Sequence, residues 1–407
     1  MRIVFGINNF DNAGAENFML RLAKYFSFKG HEIALFSLSP IEEKHLNRVK
    51  IIFGDAFSSV ELIGPYLPNR FLDFFLWKMN RAAMIVGKLD WRKEFIESKT
   101  KQKIINFKPD LLNSHLFETD DFFSKDLTIP HVISMHGPYE YYLYKVSNDD
   151  GAQAEILNPQ SSVYNQTFIK EASRILNSSK NVIYCADKNL EIFNHVNDFG
   201  IKKQKIYYGF EKKDLLLQST DNSSLNLGMF ARGVKSKGWE ILLDAFIFLE
   251  TKYSNLNLIL AYSETDYMSG LKKKYEANKK IHFLGLVDPI ENIINEIDIV
   301  VFPTFYPGES LPNTIIESLF YLKPIISTDL AEISKMLTYQ NKSAGQIIPI
   351  DKQKGTPHLQ DLIDSIELYI NDEQILNEHK HNCLTVSKQF SFETCYQSYL
   401  NYFLDIT

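Results

Sequence analysis

The sequence predicts an α/β protein made of two Rossmann-like, doubly wound parallel-sheet domains facing each other across a cleft. Three observations predict it. Short apolar runs alternate with segments of helical period almost from end to end. A polar stretch at Glu211–Ser224, closing on Asp221-Asn222-Ser223-Ser224, interrupts that alternation near the middle. The 407 residues also exceed what one ordinary core encloses. The expected domains are residues 1–210 and 211–387, with a terminal helix at 388–407 packing back on the first.

Arg2–Ile7 reads as a buried strand. Ala15, Phe18, Met19, Leu22, Ala23 and Phe26 then recur at the spacing of one helix face, and Lys29-Gly30-His31 ends that helix through a left-handed glycine. Ile33–Leu38 is the next strand, which completes the unit that builds parallel sheets. Further strands are expected at Leu111–Asn113, His131–Met135 and Lys205–Tyr208. After the polar stretch the pattern restarts at Leu225–Phe230, followed by a helix whose buried face carries Trp239, Leu242, Leu243, Phe246 and Leu249. Leu256–Ala261, Ile281–Leu284, Ile297–Phe302 and Pro324–Ser327 complete the second set. Near the end, Phe392, Cys395, Tyr396, Tyr399, Tyr402 and Phe403 form an aromatic helical stripe that needs a surface to dock on.

Bulk chemistry excludes several classes. A net charge of −6 and a pI near 6.0 do not suit a nucleic-acid binder. Three scattered cysteines suit neither a disulfide framework nor a zinc site and are expected as buried apolar side chains. No apolar run approaches the roughly 18–20 residues that span a bilayer, and the first residues lack a signal-peptide layout. The expected location is the cytoplasm, free or against the inner face of a membrane.

The most informative stretch runs from Asp298 to Leu319 and reads as strand, loop, then helix, with Pro312 placed in the helix's first turn. In an open α/β sheet that junction faces the ligand crevice. The amides of Leu311, Pro312's neighbours Asn313 and Thr314, and the helix dipole would meet a phosphate. Glu309 lies on the loop and Glu317 about one turn into the helix, so they can contact different parts of one extended ligand.

Glu309-x7-Glu317, embedded in Pro-x5-Glu-x-Leu-Pro-Asn, resembles the signature of the retaining glycosyltransferases of family 4, which have the GT-B fold. The resemblance implies that Glu317 holds the ribose hydroxyls of a nucleotide and that Glu309 lies near the transferring sugar. Phe230-Ala231-Arg232-x4-Lys237-Gly238 resembles the element whose Arg and Lys grip the diphosphate. The chain contains no Asp-x-Asp, so these two cations, and no metal or other cofactor, are expected to meet the leaving charge. Asn12-Ala13-Gly14-Ala15-Glu16 resembles the family's Gly-Gly-Ala-Glu loop, in which Gly14 lets the backbone approach a substrate. The strand ending at His136-Gly137 resembles the one that turns a histidine toward the donor sugar. Departures from the family pattern occur at Ala13, Ala231, Tyr262-Ser263 and Asp329–Ile333, all in loops where glycine is usual.

The function implied is transfer of a sugar from a UDP- or GDP-linked donor to a saccharide or lipid-linked saccharide, as in cell-surface polysaccharide synthesis. Two other readings keep the fold: a nucleotide-sugar epimerase or hydrolase, and a catalytically silent nucleotide-sugar-binding subunit. A dinucleotide-dependent dehydrogenase is disfavoured because Asn8–Glu16 has no Gly-x-Gly-x-x-Gly. One segment stands apart. Tyr66–Lys108 holds ten Lys/Arg and four acids with aromatic residues between them. On a helix Arg70, Arg81 and Lys88 would share a face. That segment reads either as a surface for anionic lipid headgroups or as a helical pair with a solvated basic face.

Overall fold

The computed structural model describes residues 1–69, 71–74, 76, 90–125, 127–139, 166–211, 224–287 and 290–407. The first domain holds a seven-stranded parallel sheet: β1 (Arg2–Ile7), β2 (Glu32–Ser37), β3 (Val60–Ile63), β4 (Leu111–His115), β5 (His131–Met135), β6 (Asn181–Tyr184) and β7 (Lys202–Lys205). Their order is β3-β2-β1-β4-β5-β6-β7. The second domain has β8 (Leu225–Ala231), β9 (Leu256–Tyr262), β10 (Ile281–Gly285), β11 (Ile299–Phe302) and β12 (Ile325–Thr328). After a short antiparallel ribbon of β13 (Thr338–Tyr339) and β14 (Lys342–Ser343), β15 (Gly345–Ile348) closes the order β10-β9-β8-β11-β12-β15. In each sheet the order reverses beside its first strand, between β1 and β4 and between β8 and β11. Those reversals open the crevices in which a parallel sheet accepts a ligand.

The central strands are buried almost throughout because helices cover both faces. β11 reads Ile-Val-Val-Phe with every residue buried, and Trp239 lies fully enclosed on the helix beneath it. The helix Gly14–Phe28 buries the expected face, and Gly30 has φ of 90° as its left-handed end requires. All three cysteines are buried and unpaired.

The structure departs from expectation in three respects. The strand placed at Lys205–Tyr208 is Lys202–Lys205. Ile206 and Tyr208 are buried, but they are core anchors of the chain leaving this edge strand, which mimics strand alternation. β3, β6 and β15 were not expected; each is only four residues long and carries a polar residue, Glu61, Asn181 and Gln346 in turn. Pro312 stands just before the helix Asn313–Phe320, with extended ψ of 123°, and not in its first turn.

The domains are tied together beside the cleft. Glu332 of the second domain is almost fully buried, and it accepts from the Tyr207 hydroxyl at 2.7 Å, the Asp187 amide at 3.1 Å and the Lys205 ammonium, all from the first domain. The Asn189 side chain reaches Ser310 Oγ at 3.1 Å, and Lys188 donates to the Pro307 carbonyl. After the second sheet the chain returns to the first domain. On the helix Phe392–Leu404, the Tyr402 hydroxyl donates to Lys202 O at 2.9 Å and accepts from Val182 N at 3.1 Å. Tyr396 lies 3.2 Å from His31 Nε2. The aromatic stripe thus covers the far side of the first sheet.

Candidate active site

Between the domains lies a cavity of about 550 Å³, bounded on one side by Asn12–Asn17, Leu116, His136, Gly137 and Tyr208. The opposite wall comprises Ala231, Arg232, Lys237, Phe302, Tyr306 and Gly308–Thr314. An adjoining cavity of about 370 Å³ shares Asn12, Ala231, Arg232, Asn313 and Thr314 and extends along Phe230, Ala261–Ser263 and Leu286 to Glu317. Glu309 and Glu317 therefore face successive compartments of one cleft, with Arg232 and the Asn313 helix start at the passage between them.

The local sequence accounts for this placement. Gly308 and Pro307 keep the chain after β11 out of regular structure. Pro312 then opens the helix, and the Thr314 hydroxyl donates to Phe230 O at 2.9 Å, pinning the helix start to the end of β8. The first amides of this helix face the cleft without intrahelical partners, as an anion site requires. On the other wall the helix Gly14–Phe28 begins at the same level. A Cβ on Gly14 would come within 3.6 Å of Asn313 Nδ2, an ordinary contact, so the two helix starts confront each other.

Lys237 and Glu309 are 6% and 7% exposed and form an ion pair at 2.6 Å. Thr304 Oγ1 donates to the same Glu309 oxygen at 3.1 Å. The Lys237 ammonium sits over the Tyr306 ring at 4.5 Å, and the Arg232 guanidinium over the same ring at 4.9 Å. Tyr306 thus gathers two cations at one point of the wall. Lys237 is held there by Gly238, whose φ of 92° and tight approach to the Pro303 carbonyl admit no side chain. Trp239 Nε1 closes the same loop by donating to Arg232 O at 3.0 Å.

His136 lines the cavity, but its ring is held from within the first domain. Asn113 Nδ2 donates to Val132 O and Ser134 Oγ, so its Oδ1 accepts from His115 Nε2 at 2.9 Å. His115 Nδ1 then accepts from His136 Nε2 at 2.6 Å, and His136 Nδ1 accepts from the Tyr208 hydroxyl. With both imidazoles neutral, every partner in this chain is satisfied. Burial agrees with this: it pushes His136 down to about 3 and, with His136 beside it, holds His115 well below the usual range. The hydrogen bond from His136 to a sugar hydroxyl, expected from the sequence, therefore needs one of these partners to yield.

All the second-domain residues singled out in the sequence (Arg232, Lys237, Glu309, Leu311, Pro312, Asn313, Thr314 and Glu317) line these two cavities, as do Gly14 and His136. Sequence reasoning missed Tyr306, Tyr208, His115 and the pairing of Asn189 with Ser310. The signal for His115 was available: it ends β4 as Met135-His136 ends β5, and carboxyl ends of neighbouring parallel strands converge. The loop Tyr262-Ser263, which stands where glycines are usual, closes on β8 through Ser263 Oγ, which accepts from Gly233 N at 2.9 Å, and Thr265 Oγ1, which donates to Gly233 O at 2.6 Å. Among the described residues no group of three or more His, Cys, Asp or Glu side chains gathers as for a metal ion.

Residues 224–364 match the family described as glycosyl transferases group 1. No curated protein matches the chain by sequence. Among solved structures, Anabaena Alr3699/HepE in complex with UDP and glucose is similar over 100% of both chains, with a TM-score of 0.70 and 18% identity. The sucrose-phosphate synthase of Thermosynechococcus elongatus is similar over 99% of this chain and 98% of its own, with a TM-score of 0.69 and 14% identity. WaaG, a glycosyltransferase involved in lipopolysaccharide biosynthesis, is similar over 100% and 99%, with a TM-score of 0.63 and 12% identity. The fold is that of the GT-B glycosyltransferases, and the match of the second domain supports a glycosyltransferase of group 1.

Proposed function

We propose that the chain is a retaining, metal-independent glycosyltransferase of family 4 that moves a hexosyl group from a UDP- or GDP-linked donor to a saccharide or lipid-linked saccharide. One observation carries the reading: a single cleft gathers Arg232, Lys237, Glu309 and the Asn313 helix start on one wall and extends to Glu317. That arrangement suits a ligand with a ribose at one end, two phosphates in the middle and a sugar at the other. UDP bound to the structurally similar Anabaena protein supports a nucleotide-sugar donor.

In this reading Glu317 accepts from the ribose hydroxyls. The diphosphate lies at the passage, where Arg232, Lys237 and the helix amides meet its charge. Lys237 then contributes a buried cation whose partner Glu309 already fixes its position, so little reorganisation is needed as the leaving group gains charge. Glu309, held from behind by Thr304, borders the compartment left for the sugar. The bond from the anomeric carbon to the diphosphate breaks as the acceptor oxygen attacks from the same face. The acceptor's proton passes to the departing diphosphate oxygen. The stacked walls exclude water while this occurs.

The reading extends to the basic segment as a contact with anionic lipid near a lipid-linked acceptor. Arg70, Arg81 and Lys88 lie outside the described residues; Phe71, which follows Arg70 in the sequence, is 90% exposed. No helix among the described residues is long and apolar enough to cross a membrane. Co-sedimentation with phosphatidylglycerol vesicles at low salt, lost at high salt, is expected; no pelleting at low salt removes the membrane contact.

The transferase reading is tested by incubating the protein with UDP-glucose, UDP-galactose, UDP-N-acetylglucosamine and GDP-mannose, with and without octyl glycosides. Release of nucleoside diphosphate, raised by one of the glycosides, is expected. Arg232→Ala should lower turnover by about 100-fold, the scale of a lost charge-stabilising donor. Equal turnover in parent and variant refutes the site.

A further inference from the structure

Glu16 is a carboxylate that the roles above leave unused. It sits in the first turn of the helix Gly14–Phe28, lines the cavity on the first-domain wall and is only 8% exposed. Its side chain makes no ion pair and no hydrogen bond to another side chain among the described residues. Its only near donor is its own backbone amide. Burial and the nearby Asp11 push its carboxyl up, against a weaker pull from Arg48. A carboxylate in this state is costly to fold around, because its backbone amide and the pull of Arg48 offset only part of the desolvation.

The surroundings say which ligand group offsets that cost. The cations Arg232 and Lys237 stand on the opposite wall, so the diphosphate is drawn there and repelled from Glu16. What approaches Glu16 carries no negative charge and has a hydrogen to donate. Its neighbours are of the same kind: Asn17 Nδ2 donates to Asn12 Oδ1 at 3.0 Å, while Asn17 Oδ1 accepts from Arg48, and both asparagines line the cavity. Amides and one carboxylate at the edge of a cleft form a surface for hydroxyl groups. His45 and Lys44 are taken up by Asp11 and leave this carboxylate alone.

We infer that Glu16 is the acceptor-binding residue, accepting a hydrogen bond from a non-reacting hydroxyl of a neutral saccharide, next to the attacking one, while Arg232 and Lys237 hold the donor's diphosphate across the cleft. This rests on the transferase reading. Glu16 holds the acceptor so that the attacking oxygen faces the anomeric carbon, and the attacking hydroxyl's own proton, free of Glu16, leaves with the diphosphate oxygen. The cost of the unpartnered carboxylate is therefore expected to appear as stability recovered when the charge is removed.

The test uses the intact chain, Glu16→Gln and Glu16→Ala. UDP and GDP affinities should stay within about twofold of the parent, because the donor sits on the other wall. Nucleoside diphosphate release, with water or added glycerol as the generic hydroxyl acceptor, should fall by about tenfold in Glu16→Gln and about 100-fold in Glu16→Ala. Glycerol should accelerate release in the parent and not in Glu16→Ala. Glu16→Gln should melt at or above the parent temperature, whereas a merely structural glutamate melts lower on substitution. Unchanged release in Glu16→Ala, or a loss of nucleotide affinity equal to the loss of turnover, overturns the inference. A parent that binds neither nucleotide removes the transferase reading, and the inference with it.

Discussion

Lys237 and Glu309 lean on each other in a place water scarcely reaches, and the pairing has a measurable consequence. Replacing Lys237 with Met leaves the Glu309 carboxylate buried and without its cation, which should destabilise the fold by about 3–5 kcal/mol. Replacing both, Lys237→Met with Glu309→Leu, should recover most of that loss. Urea unfolding of the parent, each single variant and the double variant measures the coupling; additive losses contradict it. At this scale the sequence was legible where residue type and position in a motif coincide, as for Arg232, Lys237 and Glu317. Tyr306 was not, because an aromatic residue in a loop is usually core, and only the fold shows two cations over its ring. Ala331 shows the converse. It has φ of 51° in the loop where glycine is usual, so the backbone shape survives although the residue that favours it is gone.

Among the elements, the tie between domains turns on Glu332. Three first-domain groups donate to this one buried carboxylate, so Glu332→Ala leaves Tyr207, Lys205 and the Asp187 amide without their acceptor. The cleft should then open, with a larger radius of gyration by small-angle scattering and weaker nucleotide binding. An unchanged scattering profile contradicts that role. Most strands were legible because buried parallel strands are short, continuous apolar runs. Those missed, β3, β6 and β15, are four residues long and each carries a polar residue, so the apolar run within each is shorter than in the equally short β11. The misplaced strand at Lys205–Tyr208 misled because Ile206 and Tyr208 are buried alternately as in a strand, yet they anchor the chain beyond the sheet edge. No local pattern encodes the Glu332 tie, since its partners lie more than a hundred residues away.

For the molecule as a whole, buried titratable groups set the pH response. His131 and His136 are each pushed down to about 3, and His115 is also lowered. Asp120, buried against Ser114 and Tyr139, is raised to about 7 by burial. Between pH 6.5 and about 4 the unfolded chain takes up protons at the three histidines that the folded chain does not. The folded chain in turn retains one at Asp120. The difference favours the unfolded state as pH falls, by roughly two protons from these groups, or about 1.4 kcal/mol per proton and pH unit. Denaturation midpoints should therefore decline steadily from pH 6.5 to 4.5, and a flat profile contradicts the buried neutral histidines. The two-domain α/β plan itself was readable from periodicity and one polar interruption. The cleft's width and its second compartment were not, because they depend on how the sheets are tied.

The central claim, that the cleft holds a nucleotide with its ribose on Glu317, is tested most directly by calorimetric titration of UDP and GDP into the parent protein and Glu317→Ala. One of the two nucleotides should bind the parent at a single site, and the variant should bind it at least about tenfold more weakly, as expected for losing hydrogen bonds to a charged acceptor. Binding of equal strength in the two proteins, or no binding of either nucleotide to the parent, contradicts it.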